Sequence, residues 1–244
     1  MKADPAVQRR LLDLVADDAE LTRAAHRRRN LPELAEIDEA ERDLQAKRDD
    51  LVVAQTSAGD LEREVKRLEG EVEQIRAREQ RDRERMEAGG SAKQMADLDS
   101  ELQTLSRRQG VLEDELLDVM EQREALDTNV SKAREAVDAA EERLADAQRR
   151  RDEAFTDLDA AESRYREDRD SIVAELPEDL LAVYDRVRAQ RGVGAGALQG
   201  SRCEACRLEL DRAALVEVRE AAADDVVRCA ECGAILVRTG GSGR

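Results

Sequence analysis

Glu87-Ala-Gly-Gly-Ser91 interrupts two long heptad seams and so decides the fold. Gly89-Gly90 can end a helix in the left-handed conformation that a Cβ disfavours. Ser91, with Gln94 three residues on, reads as a capping box that opens the next helix. Upstream, stepping alternately by three and four residues from Ile37 to Ile75 visits twelve positions, eleven of them apolar, with Lys47 the exception. Downstream, the same stepping from Leu98 to Tyr165 visits twenty positions, and seventeen are apolar. Apolar residues are only 41% of the whole chain, so the seams are not a product of composition. A 3-4 repeat held this long specifies a left-handed coiled coil. Comparable lengths on either side of the break predict an antiparallel hairpin, and fifty residues of each arm span about 75 Å. The alternative is a parallel dimer of two rods, which has no use for a Gly-Gly break.

Composition agrees with the seams. Charged residues make up 41% of the 244, aromatics 1%, and proline occurs three times. Such a chain builds long helices rather than a large globular core. Pro32 does not sit comfortably inside a helix, so residues 5–29 are expected as a separate or kinked helix, with Pro32 in the first turn of the long one. Pro177 similarly starts a short helix over 178–190, with Leu180, Leu181, Tyr184 and Val187 on one face. Gly192-Val-Gly-Ala-Gly-Ala-Leu-Gln-Gly200 reads as a flexible hinge. It is no phosphate loop, since no Lys-Ser/Thr follows it.

All four cysteines lie beyond that hinge, as Cys203-Glu-Ala-Cys206 and Cys229-Ala-Glu-Cys232. Two such knuckles, with a loop between them, supply the four thiolates of a tetrahedral zinc site with Zn–S distances of about 2.3 Å. The competing readings are two disulfides or a redox pair. Four thiolates close the coordination sphere, so one structural Zn2+ is expected, with no open position for chemistry. Gly233 suits the second knuckle, and Val226-Val-Arg228 with Ala234-Ile-Leu-Val-Arg238 reads as a strand hairpin. The fold class is therefore mainly α: a coiled-coil hairpin over 1–176 (turn near 87–91), a short helix and hinge over 177–200, and a C4 zinc ribbon over 201–239. Residues 240–244 are expected to form a disordered tail.

The net charge is −17. An overall field of that sign repels nucleic acid, so any phosphate binding must come from local basic patches. Two patches qualify as candidates, Arg27-Arg28-Arg29 and Arg149-Arg150-Arg151. If the hairpin turns at residue 89, position x faces about 178 − x, which sets the triplets level as a partner-binding belt. The plainer reading is that adjacent Asp and Glu neutralise each triplet on a solvated face. His26 is the only histidine, and no carboxylate pair stands out as catalytic, so no enzyme and no small-molecule substrate are expected. The N-terminal ten residues lack a signal-peptide core, and no run of 18 apolar residues occurs, so a cytoplasmic location away from membranes is expected.

Several segments together resemble a known family. They are Ser91-Ala-Lys-Gln94 after the turn, Leu112-Glu-Asp-Glu-Leu-Leu-Asp-Val-Met-Glu121, Tyr184, and the cysteine pairs ending in Cys232-Gly-Ala-Ile-Leu-Val. The chain is similar to the bacterial C4-type zinc-ribbon family with an N-terminal coiled-coil hairpin, to which nucleic-acid binding is sometimes attached. Ala230 and Ala234 stand where that family usually has a Pro and an Arg. The resemblance implies a non-enzymatic adaptor or regulator that binds another macromolecule, most simply a protein. The alternatives are nucleic-acid binding through the ribbon and Arg clusters, and a structural spacer.

Overall fold

The computed structural model describes residues 1–239; the tail expected at 240–244 lies outside them. Helix α1 spans Pro5–Arg29, α2 Pro32–Glu87, α3 Ala92–Glu175 and α4 Glu178–Arg191. Strands β1 (Ala195–Gln199) and β2 (Arg202–Cys203), helix α5 (Arg212–Glu220), and strands β3 (Val227–Arg228) and β4 (Ile235–Arg238) follow. The helix ends match the sequence signals. The Asp4 side chain caps the Ala6 N–H with Pro5 at the first helical position, and Pro32 begins α2. At the turn, Gly89 has φ +82. The Gln94 side chain accepts from the Ser91 N–H at 2.9 Å, and Ser91 Oγ accepts from the Gln94 N–H at 3.3 Å, closing the capping box.

The chain divides into two compact units, Glu33–Arg149 and Met1–Pro32 with Arg150–Arg244. The last part of α3 thus groups with α1 and the C-terminal elements. In Glu33–Arg149, α2 and α3 run antiparallel, since Leu44 packs on Val137 and Ala140 while Leu68 and Val72 pack on Leu112. Arg48–Glu141 at 2.7 Å, Arg76–Glu113 at 2.7 Å and Arg143–Asp43 at 3.2 Å flank the seam. Every seam position counted in the sequence is buried or half-buried.

The repeat continues past Ile75 onto Glu79 and Asp82, and both carboxylates are buried, at 4% and 3% exposure. Arg83 and Arg85 reach one oxygen of each, while Glu79 Oε1 and Asp82 Oδ2 accept no hydrogen bond, the Arg78 guanidinium coming only to 4.0 Å from Asp82 Oδ2. A buried acceptor left unmade costs stability, and an apolar residue of similar size removes that cost. Glu79→Leu with Asp82→Leu should therefore stabilise the hairpin by about 1–3 kcal/mol. A thermal melt of the double variant that moved downward would refute this.

In the other unit the strands form one sheet in the order β2-β1-β4-β3, with β1 and β4 parallel and the outer pairs antiparallel. This corrects the hinge reading of 192–200, because Ala195–Gln199 is an inner strand. Its side chains alternate between two cores. Ala195, with Ile235 and Val237 of β4, joins Leu11, Leu14, Ile172, Leu176, Leu180 and Tyr184 of the helices. Leu198 and Leu236 face the other way, onto Cys203, Leu210, Val218 and Cys229.

The glycines of this stretch allow close approach rather than mobility. A Cβ on Gly194 would lie 2.6 Å from the Tyr184 ring and carbonyl, and one on Gly196 would lie 2.6 Å from the Ala205 nitrogen. Gly196→Ala should cost about 1–3 kcal/mol through overpacking, seen as a lower denaturation midpoint; an unchanged midpoint would show that the backbone can yield.

The N-terminus is part of the same assembly. The Ala3 N–H donates to the Asp224 carbonyl at 2.8 Å, and the Val226 N–H donates to the Met1 carbonyl at 3.1 Å. Lys2 pairs with Asp224 at 2.8 Å. The loop it meets is held by Arg238, whose guanidinium donates to the carbonyls of Val218, Ala221, Ala222, Ala223 and Asp225 at 2.7–3.4 Å.

Candidate metal centre

The two knuckles meet across the ribbon face of the sheet. Cys203 ends β2, Cys229 directly follows β3, and both are buried; Cys206 and Cys232 close the turns and are half-buried. The four Sγ atoms lie within 4.8 Å of one another, with Cys203–Cys232 and Cys206–Cys229 at 4.0 Å. A disulfide needs about 2.05 Å, so these are free thiols. Tetrahedral zinc with bonds near 2.3 Å sets its sulfurs about 3.8 Å apart, and the observed spacing fits one such ion. Among the described residues, this is the only group of three or more His, Cys, Asp or Glu side chains placed to hold a metal.

Burial pushes the Cys203 thiol up, and it pushes Cys232 up to about 12. At Cys206 burial works the same way, but the Leu208 N–H and the neighbouring thiols outweigh it and bring the thiol below its ordinary value. Clustered, desolvated thiols favour a divalent cation that supplies the missing positive charge. Zinc here would tie the two turns together and leave no site for water or substrate.

The two knuckles share one hydrogen-bond pattern. The Arg207 N–H donates to the Cys203 carbonyl at 2.7 Å, and the Gly233 N–H to the Cys229 carbonyl at 2.9 Å. The Cys203 N–H donates to the Leu208 carbonyl at 3.0 Å, and the Cys229 N–H to the Ala234 carbonyl at 2.8 Å. Gly233 has φ +75, as the sequence suggested, and Arg207 takes the equivalent turn at φ +62. Sequence reading missed helix α5, although its signal is present. Asp211 caps it by accepting from the Ala214 N–H at 2.7 Å, and Val218 turns onto the cysteines.

The arginine triplets are placed differently from expectation. Arg28 pairs with Asp159 and with Glu162 at 3.5 Å, and its guanidinium lies 5.4 Å from the Phe155 ring centre. In the same unit Arg10 faces Glu175 and Asp18 faces Arg169, so position x faces about 186 − x rather than 178 − x. The level belt is thereby corrected, since Arg150 and Arg151 lie more than a turn along α3 from the residues that meet Arg28. The offset does not arise at the helix break: along unbroken α2, Asp43 already pairs with Arg143 and Arg48 with Glu141, so a count from residue 89 misjudges the register within the hairpin itself. Arg27 and Arg29 are exposed. Arg149 pairs with Asp146, Arg151 with Asp152 at 2.7 Å, and Arg150 also has an interaction partner. His26 is exposed at the end of α1.

A cluster invisible to sequence reading lies among the helices. Buried Asp18 accepts from Arg169 Nε at 2.9 Å and from the Tyr184 hydroxyl at 2.7 Å, and it pairs with Arg188 Nε at 2.9 Å. Burial, then the Asp18 hydrogen bond and charge, hold the Tyr184 phenol well above its ordinary range.

Comparison with known proteins gives matches along the whole architecture. Residues 14–192 match a model described as a CT398-like coiled coil hairpin domain, and residues 202–236 match a C4-type zinc ribbon domain. An uncharacterized protein of Mycobacterium tuberculosis is 45% identical over 242 residues, covering 99% of both chains. A solved structure from Mycobacterium smegmatis shares 44% identity and a TM-score of 0.84, covering 98% of this chain and 100% of that one. The structure of CT398 from Chlamydia trachomatis shares the fold at 15% identity and a TM-score of 0.61, covering 96% and 98%.

Proposed function

The chain belongs to the family with a CT398-like coiled-coil hairpin and a C4-type zinc ribbon, and on that premise we propose that it is a non-enzymatic adaptor whose partner is a protein. The carrying observation is how its arginines are used. Arg28, Arg67, Arg76, Arg78, Arg149 and Arg151 are each paired with one or two carboxylates, while Arg27 and Arg29 stand exposed beside Arg28, so most of these arginines present alternating charge rather than bare cations. Alternating charge along a helix suits a protein surface of complementary pattern, whereas a phosphate backbone needs uncompensated positive charge. A closed tetrathiolate site builds structure and leaves chemistry to the partner. Among the described residues no helix is long and apolar enough to cross a membrane, which accords with a cytoplasmic adaptor.

Titration of the zinc-loaded chain with single- and double-stranded RNA and DNA, from 50 to 200 mM salt, tests the reading. Weak binding with a shallow salt slope is expected. Tight binding that falls about a thousandfold over this range, as six or more phosphate contacts require, would support the nucleic-acid alternative instead. Protein partners should be sought with the full chain, because cutting near residue 190 removes β1 and β4 from the helical core.

A further inference from the structure

The repeated knuckle contains one more matched pair. Arg202 and Arg228 each immediately precede the first cysteine of a knuckle. Arg202 Nε donates to the Arg207 carbonyl at 2.9 Å, and Arg228 Nε donates to the Gly233 carbonyl at 2.8 Å. In both cases the acceptor is the residue directly after the knuckle's second cysteine, the one with positive φ. The Arg228 guanidinium lies so close over this turn that a Cβ on Gly233 would sit 3.0 Å from its Nη2. Among the described residues neither Arg202 nor Arg228 is paired with a carboxylate, which they share with Arg207, Arg212, Arg219 and Arg238; what sets them apart is the matched bond to the knuckle. Each instead spends its directional donor on the backbone of the metal-binding turn.

We propose that Arg202 and Arg228 are positioning residues for the zinc ion, clipped one to each knuckle so that their charge balances the tetrathiolate centre. Four thiolates and one Zn2+ leave that centre at −2; the two guanidiniums bring +2 to its turns, to which Arg207 adds one positive charge and Glu204 and Glu231 add two negative ones. Both side chains are exposed, so the Nε clip matters because it holds each guanidinium over its turn, where an unfastened arginine would move away from the metal centre. The clip also closes the turn and so fixes the direction of the second thiolate. Outer partners of this kind commonly change metal affinity by about 10–100-fold.

The test measures zinc affinity of the full chain by competition with a chromophoric chelator, for Arg202→Gln, Arg228→Gln and the matching Lys variants. Each Gln variant should lose about 10–100-fold in affinity. Each Lys variant, which keeps the charge, should lose less than the Gln variant at the same position. Raising the salt concentration should narrow the gap between wild type and Gln, because a charge effect is screened and a packing effect is not. At saturation, the Co2+–thiolate charge-transfer band should be unchanged, as four thiolates still ligate. A Gln variant within twofold of wild type overturns the proposal. So do Lys and Gln variants that lose equally, whether partly or completely, or a saturated band of lower intensity. A Gln variant with no measurable binding beside a Lys variant that binds supports it.

Discussion

Chelation of zinc, or a Cys229→Ser exchange, is expected to unfold the ribbon and to loosen α1 and α4 with it. Zinc binding to small structural sites supplies about 10–16 kcal/mol, comparable to or larger than the 5–15 kcal/mol stability of an ordinary domain. The ribbon core around Leu198, Leu210, Val218 and Leu236 is too small to replace that. What extends the damage is the two-faced sheet. Leu236 packs against the cysteine side, but its neighbours Ile235 and Val237 pack against the helices, and all three are at most 1% exposed. A strand cannot leave one face and stay on the other. Hydrogen exchange should therefore show amides of α4 around Tyr184 losing more than about a hundredfold in protection once zinc is gone. The Tyr184 phenol, now held high by burial and Asp18, should return to titrating near 10. Most of the far-ultraviolet helix signal should persist, because Glu33–Arg149 has its own seam. Zinc loss that left α4 fully protected would sink the coupling.

The parts of this arrangement that sequence reveals are those specified by residues close together or repeated at a fixed period. The cysteine spacing gives the metal, and the seam positions from Ile37 to Ile75 and from Leu98 to Tyr165 give the hairpin. Ser91 and Gln94 are three residues apart, so their capping box is local and readable. The hinge reading of 192–200 failed because glycine has two uses. Gly194 and Gly196 look like flexibility in one dimension, but in three they make room for Tyr184 and Ala205, and β1 has no β-branched residue to announce a strand. Glu79 and Asp82 fall in phase with the repeat, yet their charge argues against a seam position until their burial is seen. The Arg27–Arg29 level failed for a different reason: a count from residue 89 assumes that facing residues lie at equal distances from the turn, and the pairs Asp43–Arg143 and Arg48–Glu141 show that they do not. The Arg-Cys-x-x-Cys repeat was present in the sequence all along. Its meaning depends on the direction of two guanidiniums, which spacing does not encode.

Replacing Asp18 by Ala should be the most damaging change outside the metal site. Asp18 is 5% exposed and comes from α1, Arg169 from α3, and Tyr184 and Arg188 from α4, so one carboxylate joins three helices. Removing it leaves a buried hydroxyl without its acceptor and two partly buried guanidiniums without their anion. Breaking a buried pair on one side typically costs about 3–5 kcal/mol; with the Arg188 side chain 33% exposed, the lower end is expected. Asp18→Asn keeps an acceptor for Tyr184 and should cost about half as much, since only the charge is lost. The pH dependence has a definite sign. A phenol whose ionisation is raised on folding adds stability below its ordinary value of about 10, and the folded chain loses that stability as pH climbs beyond it. In Asp18→Ala this alkaline decline should be weaker, because the second cause of the shift has gone while burial remains. Denaturant titrations of the zinc-loaded protein at pH 8 and pH 10.5 separate the contributions. If Asp18→Ala lost less than about 1 kcal/mol, solvent would be compensating the guanidiniums, and the helices would owe their arrangement to Leu11, Leu14, Leu180 and their apolar neighbours alone.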